Sequence, residues 1–231
     1  MVSSKLSGVA EVTSGVLFDF DGPICDVFAG RPASGVAREL SEVMARHDTA
    51  LGCKAGGVDD PMEILRLAAQ GGETVIRAIE ESLTKAEVSA VKVAGPPVPG
   101  SVAALEAARS SGRKVAVVSN NSTACVRAFL TLHGLRHLVH EVIGRAAYRP
   151  DLMKPDPHSL LLAAARLHVP PKHCTLIGDS VTDVEAARAA GAMSIGFANK
   201  PHKDLSLAGA GADAVVTDMT AVADALASSP R

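Results

Sequence analysis

Six short apolar runs recur along the chain, and half of them deliver a residue able to do chemistry. GVLFD at 15–19 ends on Asp19, KVAVVS at 114–119 on Ser119, and CTLIGD at 174–179 on Asp179. EVIG at 141–144, MSIGF at 193–197 and AVVT at 214–217 have the same character. Short aliphatic runs bounded by polar or Gly residues read as strands buried on both faces. From Pro97 onward they alternate with Ala-rich helical stretches. Parallel strands need a crossover, usually a helix, so the pattern predicts βα units and an α/β fold: a parallel sheet flanked by helices.

Helix-end signals agree. Asp156-Pro157 opens HSLLLAAARL with a capping residue followed by Pro, and Gly134 and Gly191 stand where helix C-termini take a left-handed residue. Residues 24–97 differ, with no convincing strand and at least three helical patterns. Val36, Leu40, Val43 and Met44 form one apolar stripe, which His47 continues as a packed residue. Asp60-Pro61-Met62-Glu63 reads as a capping box, and Val75, Ile76, Ile79 and Leu83 form another stripe. The expected organisation is a core from residues 1–23 and 98–231, with an all-helical domain inserted at 24–97. The crossings near Asp26 to Arg31 and at AGPPVPG, 94–100, read as its hinges. The final LASSPR reads as a frayed tail.

Charge and composition narrow the partners. With 23 basic and 25 acidic residues, a net charge of -2, no Trp and one Tyr, the chain offers neither a basic face nor a stacking platform for nucleic acid. A small ligand in a cleft between two lobes fits better. Cys25, Cys53, Cys125 and Cys174 are far apart and form no C-x-x-C pair, which points to free thiols in a reducing compartment. The start MVSSKLSGVAEVTSG has no apolar leader core, and no apolar run is long enough to span a bilayer, so the expectation is a cytoplasmic protein with no membrane partner.

Four clusters carry the chemistry. Asp19-Phe20-Asp21-Gly22 sets two carboxylates one residue apart after a strand: one can attack phosphorus while the other handles the leaving group's proton, if a metal screens their repulsion. The same four residues also suit an ordinary turn or a calcium loop. Gly178-Asp179-Ser180-Val181-Thr182-Asp183 supplies hard oxygen ligands of the kind Mg²⁺ takes, or equally an acid-rich helix start. Ser119-Asn120-Asn121 and Lys154 suit a phosphate, as hydroxyl, backbone N–H groups and ammonium; the alternatives are a helix cap and a surface lysine.

In this order, each at a strand's C-terminal end, DFDG, VVSN, KPDP and GDSVTD resemble the four motifs of the haloacid dehalogenase superfamily, from about Val16 to Ala227. The branch is that of phosphoglycolate phosphatases and β-phosphoglucomutases. The resemblance implies a Rossmann-like core, Asp19 as nucleophile, and Asp21 as general acid/base that also lends its carbonyl to Mg²⁺. It further implies Ser119, Asn120 and Lys154 as phosphate binders, Asp179 as metal ligand and Asp183 as support for the metal shell. The helical insertion resembles the family's mobile cap. Pro23, after DFDG, departs from the usual Thr or Val and removes an N–H at the mouth of the hinge.

Asp21 argues for phosphoryl transfer, because members that resemble dehalogenases and phosphonate hydrolases lack that acid. The implied activity is Mg²⁺-dependent hydrolysis of a small-molecule phosphate monoester through an aspartyl-phosphate. A sugar phosphomutase is the alternative enzyme; no His lies between Asp26 and Arg31, where such mutases carry one. A non-catalytic phosphometabolite-binding protein is the other alternative. For the substrate contacts, LGCKAGGVDD reads as a specificity loop between the first two cap helices, with Lys54 and then Arg31 as candidates. The assembly expected is a monomer or small homo-oligomer.

Overall fold

A computed structural model describes residues 2–229. All six apolar runs are strands: β1 Gly15–Phe18, β2 Lys114–Val118, β3 Glu141–Ile143, β4 Cys174–Gly178, β5 Met193–Phe197 and β6 Ala214–Val216. They form one wholly parallel sheet in the order β3-β2-β1-β4-β5-β6. β1 is central, with Phe18 opposite Val117 of β2 and Ile177 of β4. Its Leu17 and Phe18 are fully buried, as an apolar run covered on both faces requires.

β1, β2 and β4 stop at Phe18, Val118 and Gly178, so Asp19, Ser119 and Asp179 are each the first residue beyond a strand. The chain order reverses at β1, with β2 and β3 on one side and β4 to β6 on the other. Splayed loops at such a reversal leave a crevice at the strands' C-terminal ends, where open α/β sheets bind ligands.

Helices α6 Ser101–Ser110, α7 Thr123–Leu132, α8 His158–Leu167, α9 Val181–Ala190, α10 Lys203–Gly209 and α11 Met219–Ala227 flank the sheet. The insertion carries α2 Ala33–His47, α3 Thr49–Ala55, α4 Pro61–Ala68 and α5 Gly72–Val91. The Asp60 cap is present, its carboxylate accepting from the Met62 amide at 2.8 Å. The insertion has its own apolar cluster, built on Leu40, Met44, Ile64, Leu65, Ile79 and Leu83. Met153, next to Lys154, is buried in that cluster, whereas Ala90 and Val91 at the end of α5 belong to the cluster of the sheet. Helix α5 is therefore shared by both.

Three expectations are corrected, those for LGCKA, His47 and the C-terminal tail. LGCKA is helical: the Asp48 carboxylate accepts from the Leu51 amide at 2.9 Å and caps α3, so only GGVDD, 56–60, is loop. His47 is exposed on the last turn of α2, where a histidine complements the helix dipole instead of packing. The start of the chain forms a helix, α1 Val2–Val12, which buries Leu6, Val9 and Ala10 against the sheet domain. At the other end Leu226 is buried in α11, so the tail is packed up to that point; Pro230 and Arg231 lie outside the described residues.

Buried Arg113 explains why both ends are held. Its guanidinium donates to the carbonyls of Thr13 (3.1 Å) and Ala10 (2.8 Å) near the end of α1, and to Leu226 (2.9 Å) and Ser229 (2.5 Å) at the end of α11. Helix C-terminal carbonyls have no intrahelical partner, and one planar fork satisfies both sets. Replacing Arg113 with Met strands these acceptors, and urea unfolding is expected to show a loss of roughly 3 kcal/mol.

Candidate active site

The loop after β1 is a tight turn. The carbonyl of Phe20 accepts from the amides of Ile24 (3.2 Å) and Cys25 (2.9 Å), and the Gly22 amide donates to Cys25 (2.7 Å). Asp19 and Asp21 leave the turn into different surroundings. Asp19 is buried, and its Oδ1 accepts from the Phe20 amide at 2.7 Å and from Lys154 Nζ at 2.8 Å. Among the described residues Oδ2 receives no donor. Asp21 is partly buried, its Oδ1 accepting from the Val27 amide at 3.0 Å.

Lys154 Nζ also reaches Asp183 Oδ1 at 2.5 Å, with both side chains buried. The other oxygen of Asp183 accepts from the Ser180 amide (3.0 Å) and hydroxyl (2.6 Å), a reciprocal capping box that starts α9. Asp183 thus serves the helix start and the ammonium at once. It approaches Gly178 so closely that a Cβ there would lie 2.5 Å from its side chain.

Asn120 ties the segment of Lys154 to the loop after β2. Its Oδ1 accepts from the Lys154 amide at 2.8 Å and its Nδ2 donates to the Lys154 carbonyl at 3.3 Å. Ser119 Oγ bonds Asn121 within the same loop, donating to Oδ1 at 3.1 Å and accepting from the amide at 3.0 Å. Lys154 thus bonds Asp19 and Asp183 through its ammonium and Asn120 through its backbone, with Ser119 the chain neighbour of Asn120 at the sheet's C-terminal edge.

Asp179 is the more accessible acid. Its Oδ2 accepts from Lys203 Nζ at 2.5 Å and from Asn199 Nδ2 at 2.9 Å. Carboxylate oxygens of Asp19, Asp179 and Asp183 lie within 4.8 Å of one another. Asp21 would add only a carbonyl. Burial and then the Asp183 charge push the Asp19 carboxyl well above its ordinary range, against the pull of Lys154. A divalent cation on the same acids would act with Lys154 and return Asp19 to its ionised form. Hard oxygens, an excess of acid and an Asp19 oxygen with no donor fit such an ion. Burial also pushes Asp21 up to about 6, with the Val27 amide opposing.

A cavity of about 450 Å³ opens beside these groups, lined among others by Asp21, Gly22, Phe28, Asp179 and Lys200. The two cationic candidates of the insertion are not joined to it by any bond among the described residues. Arg31 pairs with Glu39 at 2.6 Å and lines a separate cavity with Arg38 and Asp59, and Lys54 is exposed on the last turn of α3. Arg66 of α4, overlooked in the sequence, reaches the centre instead, its Nη2 donating to the Lys154 carbonyl at 3.2 Å. Asn199, Lys200 and Lys203 follow β5, a run with no acid or hydroxyl at its end; the position of that end beside β4 was the signal available.

A family model described as haloacid dehalogenase-like hydrolase matches residues 13–191. Among curated relatives, the plasmid phosphoglycolate phosphatase of Cupriavidus necator is 36% identical over 54% of this chain, which spans 53% of that relative's length. The phosphoglycolate phosphatase of Rhodospirillum rubrum is 28% identical over 90% of this chain and 89% of its own. Among solved structures, the β-phosphoglucomutase of Clostridium difficile superposes with a TM-score of 0.66 at 22% identity, covering 90% of this chain and 92% of its own. No helix among the described residues is long and apolar enough to cross a membrane.

Gly22 is the tightest point of the centre. Its φ is +106°, and a Cβ there would lie 2.4 Å from Asp179 Cγ. Gly22→Ala is expected to displace the Asp179 carboxylate and to weaken divalent-cation binding, read by titration calorimetry, by about tenfold or more.

Proposed function

Because the chain belongs to the haloacid dehalogenase-like hydrolase family, we propose that it hydrolyses a small phosphate monoester by nucleophilic attack of Asp19 on phosphorus. The observation that carries the reading is the contrast between the two acids of DFDG. Asp19 lies in the acid cluster against a buried ammonium at 2.8 Å, where Lys154 and a divalent cation together would keep it ionised although burial and Asp183 raise it. Asp21 stands outside that cluster and is raised by burial to about 6, within reach of a role as proton donor and acceptor near neutral pH. Two carboxylates whose environments separate them divide into nucleophile and acid/base.

In the first step an Asp19 oxygen forms a bond to phosphorus as the ester P–O bond breaks, and Asp21 gives its proton to the leaving alkoxide. In the second step Asp21, now a carboxylate, takes a proton from water. The hydroxide displaces Asp19, and inorganic phosphate departs. Ser119, Asn120 and Lys154 hold the phosphoryl oxygens, with Lys154 offsetting their charge. Asp19, Asp179 and the Asp21 carbonyl would hold Mg²⁺, supported by Asp183, and the ion when bound supplies charge neutralisation at the phosphoryl group.

The reading extends to the whole chain. Residues 24–97 act as a cap over a core of 1–23 and 98–231, and the substrate is a small phosphorylated metabolite. Phosphoglycolate is the first ester to try, on the strength of the two phosphatases to which the chain is similar. Lys54 and Arg31 stay substrate candidates for a closed cap, with Arg66 beside them. A monomer or small homo-oligomer in the cytoplasm completes the proposal, in keeping with four free cysteines. The mutase alternative is disfavoured by the absence of His in DVFAGR.

Phosphate release from a panel of phosphorylated metabolites tests the reaction: the native chain is expected to act only with Mg²⁺, and Asp19→Asn to lose at least about 10⁴-fold in kcat. Equal activity of that variant would overturn the nucleophile. Asp21→Asn is expected to lose about 10²- to 10⁴-fold on alkyl phosphates and far less in the first step on p-nitrophenyl phosphate, whose leaving group needs no acid. Its second step lacks a base, so mass spectrometry should find the protein carrying one phosphoryl group.

A further inference from the structure

Arg145, Glu80 and Glu87 form a buried charged cluster that the proposed reaction does not use. Arg145 is the second residue beyond β3, whereas both glutamates belong to α5 of the insertion. The guanidinium contacts Glu80 Oε1 through Nε (2.8 Å) and Nη2 (2.7 Å), Glu87 Oε1 through Nη1 (2.5 Å), and Thr84 Oγ1 through Nη2 (3.1 Å). All three charged residues are more than nine-tenths buried. A buried ion cluster adds little net stability over well-packed apolar residues, so its geometry is the more informative property.

That geometry is directed at the loop after β2. Glu87 accepts from Asn121 Nδ2 (3.2 Å) and from the Ser122 amide (3.0 Å). Arg145 donates from Nη1 to the Asn120 carbonyl (3.2 Å) and from its own amide to the Asn121 carbonyl (3.0 Å). Three consecutive residues, 120 to 122, are thus gripped by the cluster. The first of them orients the Lys154 backbone, and the second orients Ser119 Oγ. A staple between insertion and core would need the Arg–Glu contacts alone; it would not need three side-chain bonds to one loop.

We propose that Arg145, Glu80 and Glu87 are positioning residues: through helix α5 they set the geometry of the Ser119–Ser122 loop, and through it that of the phosphoryl-binding groups. The assignment of those groups rests on the hydrolase reading above. The positioning itself does not, because the loop's order can be read without any substrate. Mispositioning of reacting groups by about 1 Å costs on the order of 10²-fold in rate, so a cluster that touches no substrate can still govern turnover.

The full-length triple variant Arg145→Met/Glu80→Met/Glu87→Gln tests this. It removes all three charges together, so none is left buried alone, and the Glu87→Gln change keeps an acceptor for the Ser122 amide. Cooperative thermal unfolding is expected to persist. Hydrogen exchange across residues 119–122 is expected to rise about tenfold or more relative to strand β2. The inhibition constant of inorganic phosphate should rise about tenfold while kcat falls by up to about 10²-fold. Arg145→Lys, which keeps the charge but not the fork, should give intermediate values in both readouts, and it decides alone if the triple variant does not fold. Native exchange at 119–122 together with a native phosphate constant would overturn the proposal and reduce the cluster to a staple. Should the native chain hydrolyse no ester in the panel, the hydrolase reading fails, and the exchange result still decides whether the loop is positioned.

Discussion

The buried Lys154 ammonium is the constraint around which the site is organised. An isolated charge of that size is expensive to bury, by several kcal/mol even after relaxation, and it persists only where carboxylates and good geometry compensate. Asp19 at 2.8 Å and Asp183 at 2.5 Å provide that compensation. The rest of the site serves the same arrangement. Gly178 leaves room for Asp183, Ser180 fixes its second oxygen, and Asn120 and Arg66 hold the backbone on which Lys154 is carried. Met153, in the apolar cluster of the insertion, anchors the same segment from the other side.

The same constraint sorts three neighbouring acids into different roles. Asp183 has both oxygens engaged, one by the ammonium and one by the helix start. Asp179 has its bonds on one oxygen, to the side chains of Asn199 and Lys203. Asp19 shares one oxygen with Lys154 and keeps the other. Proximity alone would make the three equivalent ligands; their hydrogen bonds make them unequal. Lys203 adds a local cation beside Asp179, so the excess of acid is met by charges from the start of α10 and from the loop before α8.

Much of this was legible because it is local. Apolar runs of period one and the residues that end them are written in consecutive positions, so the strands and the positions of Asp19, Ser119 and Asp179 could be read directly. Capping by Asp60 and the helix start at Ser180 are equally local. What could not be read depends on pairing across long separations. Glu87 meets Asn121, 34 residues on, and Arg113 reaches Ser229, 116 residues on. In the sequence each is an ordinary charged residue on a helix or beside a strand. The misreading of LGCKA has a nearer cause: two glycines after it suggested a loop, while Asp48 already supplied the cap that starts a helix.

Helix α5 changes what the insertion can do. A lobe attached only by two flexible crossings could swing freely, but this lobe shares a 20-residue helix with the core. The first part of that helix buries Val75, Ile79 and Leu83 among lobe residues, and its end buries Ala90 and Val91 among those of the sheet. Swinging the helix as a rigid rod would separate buried Arg145 from two buried glutamates, leaving unpaired charges at a cost of about 3–5 kcal/mol. Displacement of α2, α3 and α4 over α5 would instead open the insertion's own apolar cluster, in which Leu40, Met44, Ile64 and Leu65 pack with Ile79 and Leu83, at about 1.5–3 kcal/mol for each side chain exposed. Helix α5 therefore joins lobe and core by two different means, apolar packing against α2 and α4 on one side and buried charge on Arg145 on the other.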